Sequence, residues 1–360
     1  MQTVQTFEVG YTQYLKQDGE PASSLPDRAD DRDAAISIYR AMILTRIFDK
    51  RSVALQRTGR MGTFASSLGQ EAVGAGTAAA MTKNDVFVPS FREQAALFYR
   101  GVGVGEYLFY WGGDARGSDF TGSPNDFPVS VPVGTHAPHA AGVALAMKLR
   151  REPRVAVCMF GDGATSKGDV YEAMNIAGAW KLPVVFVVNN NQWAISVPRE
   201  AQTAAETIAQ KAIAAGFPGE QVDGNDAIAV WDRVSHAVEK ARKGGGPHMI
   251  EALTYRLCDH TTADDATRYR DDEMVGKHWK DDPIARLKNF LVHRHNWTKE
   301  EEETLIDQCA ETVENGIESY LASKPLPVSS MFDHLFAELP KDIAAQRDLA
   351  VKRAGEADND

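Results

Sequence analysis

The sequence predicts an α/β fold: a doubly wound, largely parallel sheet flanked by helices, with a helical C-terminal region. Two observations carry that prediction. In residues 155–198 two short Val-rich runs, VAVCMF and LPVVFVV, flank VYEAMNIAGAWK, a segment of helical composition, which makes a strand, helix, strand unit by pattern. A third apolar run, HMIEALTY at His248–Tyr255, follows a further helical segment, and alternating strands and helices build parallel sheets. With 360 residues the chain is long enough to bury a sizeable core, as one large domain or two smaller ones.

The first 30 residues hold scattered Gly, Pro, Ser and acidic residues without a sustained period, and read as an irregular arm. From Asp33 the pattern turns helical: Ile36, Ile38, Tyr39, Met42, Ile43, Ile47 and Leu55 fall mostly at helical spacing, and Gly59 is placed to stop the helix. A second helix over Gln70–Met81 carries Ala72, Gly74, Gly76, Ala78, Ala79 and Ala80, small residues that allow close packing. DVFVPSFREQAALFYRG reads as a short strand running into a helix, with Phe91 and Arg92 at the junction. The GVGVG at Gly101–Gly105 lacks G-x-G-x-x-G spacing and reads as a turn, and Gly112–Pro128 as a loop. AAGVALAMKLRRE is an apolar helix whose basic end suits the negative pole of its dipole. His136 and His139 stand three apart without a third ligand, and read as ordinary loop or helix-start histidines.

Beyond the central unit come a helix around Ala205–Ala215, a short strand near Gln221–Gly224, and a helix from Ala227 to Lys243 that Gly244–Gly246 breaks. Residues 256–282 form a polar loop, longer than compact domains carry without a use for it. The expected organisation is an arm over 1–30, an α/β domain over 31–282 that includes the 256–282 loop, a helical C-terminal region over 283–353 packed on it, and a frayed tail over 354–360.

Composition excludes several classes. Lys and Arg number 39 against 50 Asp and Glu, a net charge of −11, which argues against electrostatic binding of nucleic acid or anionic lipid. No apolar run approaches the roughly 18 to 20 residues of a bilayer span, and the polar start lacks the apolar stretch of a signal peptide, so a cytoplasmic location is expected. Cys158, Cys258 and Cys309 are odd in number and widely spaced, which suggests neither a disulfide framework nor a zinc site.

The chemistry gathers at the two strand ends of the central unit. In an open parallel sheet ligands bind beyond the carboxyl ends of the strands, so Asp162 after the first strand and Asn191 after the second should converge. One anionic and one neutral oxygen suit Mg²⁺ or Ca²⁺ and not a thiophilic metal. The helix after GDGATSKG would offer N–H groups to a phosphate, and Gly161 and Gly163 let the backbone approach it. A P-loop does not fit, because Ser166 precedes Lys167. Against this stands a purely conformational reading, in which GDG is a strand-to-helix turn with Asp as N-cap and Asn191 belongs to a polar turn.

GDGATSKGD followed by NNNQWAIS resembles the thiamine diphosphate motif, a GDG with an Asn pair near thirty residues later. Most of the chain resembles the alpha subunit of the decarboxylating component of 2-oxo acid dehydrogenase complexes, of the bacterial pyruvate type or the branched-chain type. The resemblance implies a thiamine diphosphate-binding fold, its diphosphate-binding half, with Mg²⁺ held by Asp162, Asn191 and the backbone carbonyl of Trp193. It implies cofactor contacts from Phe91, Arg92, Ser130, Val133, Gly161, Asp162, Gly163, Ala164, Asn191, Arg256 and His260, with His260 as the catalytic loop histidine. Tyr269 and Arg270 match other residues of that loop. The family usually has Tyr at position 91 and Tyr or Phe at position 193, and Cys258 and Asp259 depart from its pattern before the histidine. Thr261 stands where animal relatives carry a phosphorylated Ser. The carboxylates Asp259, Asp264 and Asp265 near His260 are expected to raise its pKa.

In this family the glutamate that helps generate the reactive carbanion lies in a separate pyrimidine-binding domain, and the resemblance implies that this chain holds only the diphosphate-binding half. A beta subunit is therefore implied, as two alpha and two beta chains, with a small 2-oxo acid as substrate and the lipoyl domain of the acyltransferase core as acyl acceptor. A branched-chain or acetoin dehydrogenase alpha subunit remains an alternative, as do a fragment of a sugar-phosphate-transferring thiamine enzyme and a non-catalytic nucleotide-binding or scaffold protein.

Overall fold

The computed structural model describes residues 1–357 and has the α/β architecture. Its strands are β1 (Tyr11–Thr12), β2 (Val86–Val88), β3 (Ala156–Gly161), β4 (Val184–Asn190), β5 (Trp193–Ala194), β6 (Val197–Pro198), β7 (Gly219–Asp223) and β8 (His248–Leu253). Six of them make one sheet in the order β1-β7-β8-β4-β3-β2, every pair parallel. β5 and β6 form a separate antiparallel pair. β3 and β4 are apolar along almost their whole length because helices cover both faces of the sheet.

The helices are α1 (Arg32–Arg57), α2 (Glu71–Ala79), α3 (Gln94–Tyr99), α4 (Val104–Trp111), α5 (His136–Arg150), α6 (Gly168–Ala179), α7 (Arg199–Gln202), α8 (Lys211–Ala214), α9 (Ala227–Arg242), α10 (Asp272–His278), α11 (Pro283–His295), α12 (Lys299–Ala322) and α13 (Lys341–Ala357). On one face α5 and α6 bury Ala140, Ala144, Met147, Val170, Ala173 and Met174 against Val86, Cys158, Phe160, Phe186 and Val188. On the other face α9 lies along β4, β7 and β8, and α2 packs on α9. The small residues of α2 make that approach possible: a Cβ on Gly76 would come within 2.9 Å of Val230 Cγ1. At the ends of α1, Asp31 accepts the Ala34 N–H and Gly59 turns away at φ +72°. Among the described residues no helix is long and apolar enough to cross a membrane.

Several elements depart from the sequence reading. The N-terminal arm is not wholly irregular: β1 pairs with the edge strand β7, and Leu15 is fully buried. Its anchor is Asp226, whose carboxylate accepts the Tyr14 and Leu15 N–H groups while capping α9 through the Ile228 and Ala229 N–H groups. The turn at Gly101–Gly105 leads at once into α4, which went unread. The helix expected around Ala205–Ala215 shrinks to α8. Upstream of it the Thr203 hydroxyl accepts the Ala205 N–H and Gln210 Oε1 the Thr207 N–H, local bonds that compete with a helical ladder. The 256–282 loop contains α10, capped by Asp271, whose polar faces carry no apolar period.

The chain divides into two compact units, residues 1–317 and the residues from Glu318 on. The first contains the whole sheet, α11 and most of α12. The second contains the last turn of α12, a 3-10 turn at Val328–Phe332 and α13, which continues through Ala357 where a tail was expected. Residues 358–360 of that tail lie outside the described residues.

Candidate functional site

β3 and β4 pair from Ala156↔Val184 to Gly161↔Asn189, so the residues that follow them emerge side by side. They open into a cavity of ≈ 220 Å³ whose walls include Phe91, Arg92, Val133, Gly161, Asp162, Gly163, Ala164, Asn191, Trp193 and His260. The structure thus brings together nearly all of the residues singled out from the sequence. Two stand back from the wall. Ser130 bonds to the Thr135 hydroxyl at 3.3 Å, and Arg256 lies fully buried behind, donating to Ile195 O at 2.8 Å and the Tyr269 hydroxyl at 2.7 Å. Among the described residues nothing hydrogen-bonds to the buried Nε and Nη1 of Arg256.

Asp162 opens a 3-10 turn, Asp162–Ser166, that leads into α6. Its carboxylate is buried and forms no ion pair among the described residues; Oδ2 accepts from Gln202 Nε2 at 2.8 Å. Burial pushes its pKa up, a shift that a bound cation would reverse. The turn is clamped from outside the motif. Lys211 Nζ donates to the Thr165 carbonyl and hydroxyl at 3.0 Å each, and the Thr165 hydroxyl donates to Asp162 O at 2.7 Å. A Cβ on Gly163 would come within 2.7 Å of Ala194 Cβ, so the turn and the β5–β6 pair meet where only glycine fits.

Asn191 accepts the Trp193 N–H on Oδ1 at 3.2 Å and donates from Nδ2 to Gln70 Oε1 at 2.8 Å. The same Gln70 oxygen takes Asn189 Nδ2 at 3.1 Å. Gln192 and Ile195, on either side of Trp193, hold the left-handed region at φ +71° and +56°, a strained path that returns the chain to the cavity. Phe91 meets the His260 ring edge-on with centroids 6.0 Å apart.

Arg92 is buried and binds the loop to the wall. Its Nη1 donates to Ser66 O, and its Nη2 to His260 O and, at 2.9 Å, to His260 Nδ1. Because arginine only donates, Nδ1 must accept, and the neutral ring carries its proton on Nε2. The expectation that nearby carboxylates raise the His260 pKa is overturned: it is held down at about 4, first by burial and then by the Arg92 and Arg256 guanidiniums. Asp264 pulls the other way, but its Oδ2 is shared by the His260 N–H and the Tyr269 hydroxyl, and Asp259 accepts the Ala266 N–H.

Sequence reasoning missed Gln70, Gln202, Lys211 and Glu93. Glu93 is a buried cavity-lining carboxyl whose pKa burial pushes up to about 7, and its place beside Arg92 was the one local signal. His136, at the start of α5, also lines the cavity; its Nε2 donates to Met159 O at 2.8 Å, and burial lowers its pKa. Among the described residues no group of three or more His, Cys, Asp or Glu side chains gathers as a metal site. Of the residues lining the cavity, Asp162 and Glu93 carry carboxyl groups.

The model of the dehydrogenase E1 component family matches residues 39–328 of the chain. The chain is 38% identical over 314 residues to a pyruvate dehydrogenase E1 component subunit alpha of Mycoplasma genitalium, spanning 87% of this chain and 88% of that one. It is 37% identical over 326 residues to the protein of that name from Staphylococcus aureus strain Mu50, spanning 90% and 88%. The Bacillus subtilis protein of that name is 37% identical over 344 residues, spanning 95% and 92%. The chain belongs to the dehydrogenase E1 component family, and is an oxidoreductase of the decarboxylating 2-oxo acid dehydrogenase type.

Proposed function

We propose that this chain is the alpha subunit of a pyruvate dehydrogenase E1 component. In this reading it binds thiamine diphosphate through Mg²⁺, works in the cytoplasm as two alpha and two beta subunits, and passes an acyl group to the lipoyl domain of the acyltransferase core. The observation that carries the reading is the meeting in one cavity of Asp162 and Asn191, from adjacent strand ends, with Arg92 and His260. The names of the relatives support the pyruvate assignment.

The residues present fit the cofactor. Asp162 is a buried carboxylate with no ion pair among the described residues, and the Asn191 Oδ1 has a second lone pair beside the one that takes the Trp193 N–H. With the Trp193 carbonyl they form a hard oxygen set of low charge, which leaves phosphate oxygens and water to complete Mg²⁺. The Nε and Nη1 of Arg256, unpartnered among the described residues, supply positive charge behind the anion site. A cavity of ≈ 220 Å³ is smaller than the roughly 300–1,000 Å³ of complete small-molecule sites, and Val133 and Ile195 leave apolar surface exposed at its mouth, as expected of a half-site that a partner chain closes.

When bound, thiamine diphosphate supplies the nucleophilic carbon and the electron sink for loss of CO₂. Asp162, Asn191 and the Trp193 carbonyl would hold its Mg²⁺, and Gly161, Gly163 and Ala164 would lie along its diphosphate. His260, neutral and with its proton on Nε2, is a hydrogen-bond donor at the cavity wall at neutral pH, not a cation. Arg92 holds the His260 loop at that wall through the backbone as well as the ring.

Calorimetry of the alpha chain reconstituted with its beta partner tests the reading: thiamine diphosphate binds in the presence of Mg²⁺ and not after its chelation. Asp162→Ala abolishes that Mg²⁺-dependent binding while the far-UV spectrum survives. Wild-type affinity in Asp162→Ala would show the metal assignment to be wrong. Turnover with pyruvate exceeds turnover with branched 2-oxo acids, and the reverse order would reassign the substrate.

A further inference from the structure

Gln70 stands at the start of α2, inside the molecule, and does not itself line the cavity, though Asn189 and Asn191, which it contacts, do. Its one acceptor oxygen nevertheless receives the side-chain amides of both Asn189 and Asn191, more than a hundred residues away, at 3.1 and 2.8 Å. Which end of each of these amides is oxygen follows from a backbone group. The Trp193 N–H can only donate, so the Asn191 atom that faces it at 3.2 Å is Oδ1. The other end of that amide is then NH₂, and the Gln70 atom that meets it must be the oxygen.

We propose that Gln70 is a positioning residue for the metal ligand Asn191: by accepting its Nδ2, Gln70 keeps the Asn191 carbonyl turned toward the cation, not the amide nitrogen. The inference rests on the reading of the cavity as a Mg²⁺–diphosphate site. Its physical content is that an asparagine ligates a hard cation through oxygen only, and that a free side-chain amide can present either end. Asn189 has a further partner, the Thr254 hydroxyl, which donates to its Oδ1 at 2.7 Å, so it is held from both ends and does not depend on Gln70 alone. On Asn191 the Oδ1 is met only by the Trp193 backbone N–H, at 3.2 Å, and among the described residues Gln70 is its one side-chain partner.

The test uses the alpha chain reconstituted with its beta partner and reads the Mg²⁺ concentration that half-saturates thiamine diphosphate binding by calorimetry, together with the electron paramagnetic resonance spectrum of Mn²⁺ in place of Mg²⁺. Gln70→Met, close in shape but without an acceptor, raises that concentration by about tenfold or more, in the range seen when ligand-orienting partners are removed. It also broadens the Mn²⁺ spectrum, while turnover at saturating Mg²⁺ falls far less. Gln70→Glu keeps an acceptor oxygen in place and stays within about threefold of the wild type. Asn189→Ala, which unties the strand end but leaves the Gln70–Asn191 bond, also keeps the wild-type Mg²⁺ dependence. An unchanged Mg²⁺ dependence in Gln70→Met overturns the proposal, and so does a loss in Gln70→Glu or in Asn189→Ala as large as in Gln70→Met. If Gln70→Met does not fold, Gln70→Glu still decides, since a tenfold loss there leaves no role for the acceptor. Absence of Mg²⁺-dependent binding in the wild type would instead overturn the reading of the cavity itself.

Discussion

Acidification should strip stability from this protein through His260, by an amount that can be worked out. The ring is held at a pKa of about 4 against an ordinary 6.5, by burial first and by Arg92 and Arg256 next. The folded pKa of this base is depressed, so the unfolded chain binds the extra proton between those two values. The stability His260 contributes is therefore complete above about pH 6.5 and is lost as pH falls toward 4. A shift of 2.5 units is a ceiling of roughly 3 kcal/mol, of which about 2 kcal/mol is lost by pH 5. Since the ring is partly exposed, solvent screening brings the expected loss at pH 5 nearer to about 1 kcal/mol. Two positive charges about 4 Å apart at an effective dielectric of 20 repel by about 4 kcal/mol, so the Arg92 contact at 2.9 Å is large enough to matter. The assay is urea unfolding of the wild type and of His260→Gln at pH 7.5 and pH 5.0, with the ring titrated by NMR. The wild type loses about 1 kcal/mol more than the variant over that interval. A His260 ring that titrates near 6.5, or equal losses in the two proteins, would refute the burial-and-guanidinium argument.

Two further perturbations separate the cofactor turn from the scaffold. Gly163→Ala drives a Cβ to 2.7 Å from Ala194 Cβ and should weaken thiamine diphosphate binding with a stability cost of about 1–2 kcal/mol, whereas Gly161→Ala, whose Cβ meets nothing nearer than 4.0 Å, should cost less; equal effects would deny the close approach. Asp226→Ala removes the acceptor of four backbone N–H groups, two in the arm and two in α9, and should cost about 3 kcal/mol; an arm as resistant to protease as in the wild type would contradict its role as anchor.

What was legible in the sequence was what neighbours in the chain determine. The Val-rich runs of β3 and β4, the Gly161–Gly163 turn and the length of α9 follow from local period and turn chemistry, and register alone then brings Asp162 beside Asn191. The His260 loop came from family resemblance, and its electrostatics were misjudged because sequence shows Asp259, Asp264 and Asp265 nearby but not that Arg92 arrives from 168 residues away. Gln70, Gln202 and Lys211 share that difficulty. Each is an ordinary polar residue at the edge of a short helix, and acquires its role through one or two bonds to a distant segment. α8 and α10 were misread for the opposite reason, because side-chain caps and local polar bonds outweigh hydrophobic period in such short stretches.

The two-residue strand at Tyr11–Thr12 has a consequence out of proportion to its length. It occupies the outer hydrogen-bonding edge of β7, which would otherwise present unpaired N–H and C=O groups to solution. A protein shortened past Thr12, or clipped in the arm during purification, would keep its cavity intact and yet carry an open template for strand addition. Slow self-association would then be the first symptom of damage at a place far from the chemistry.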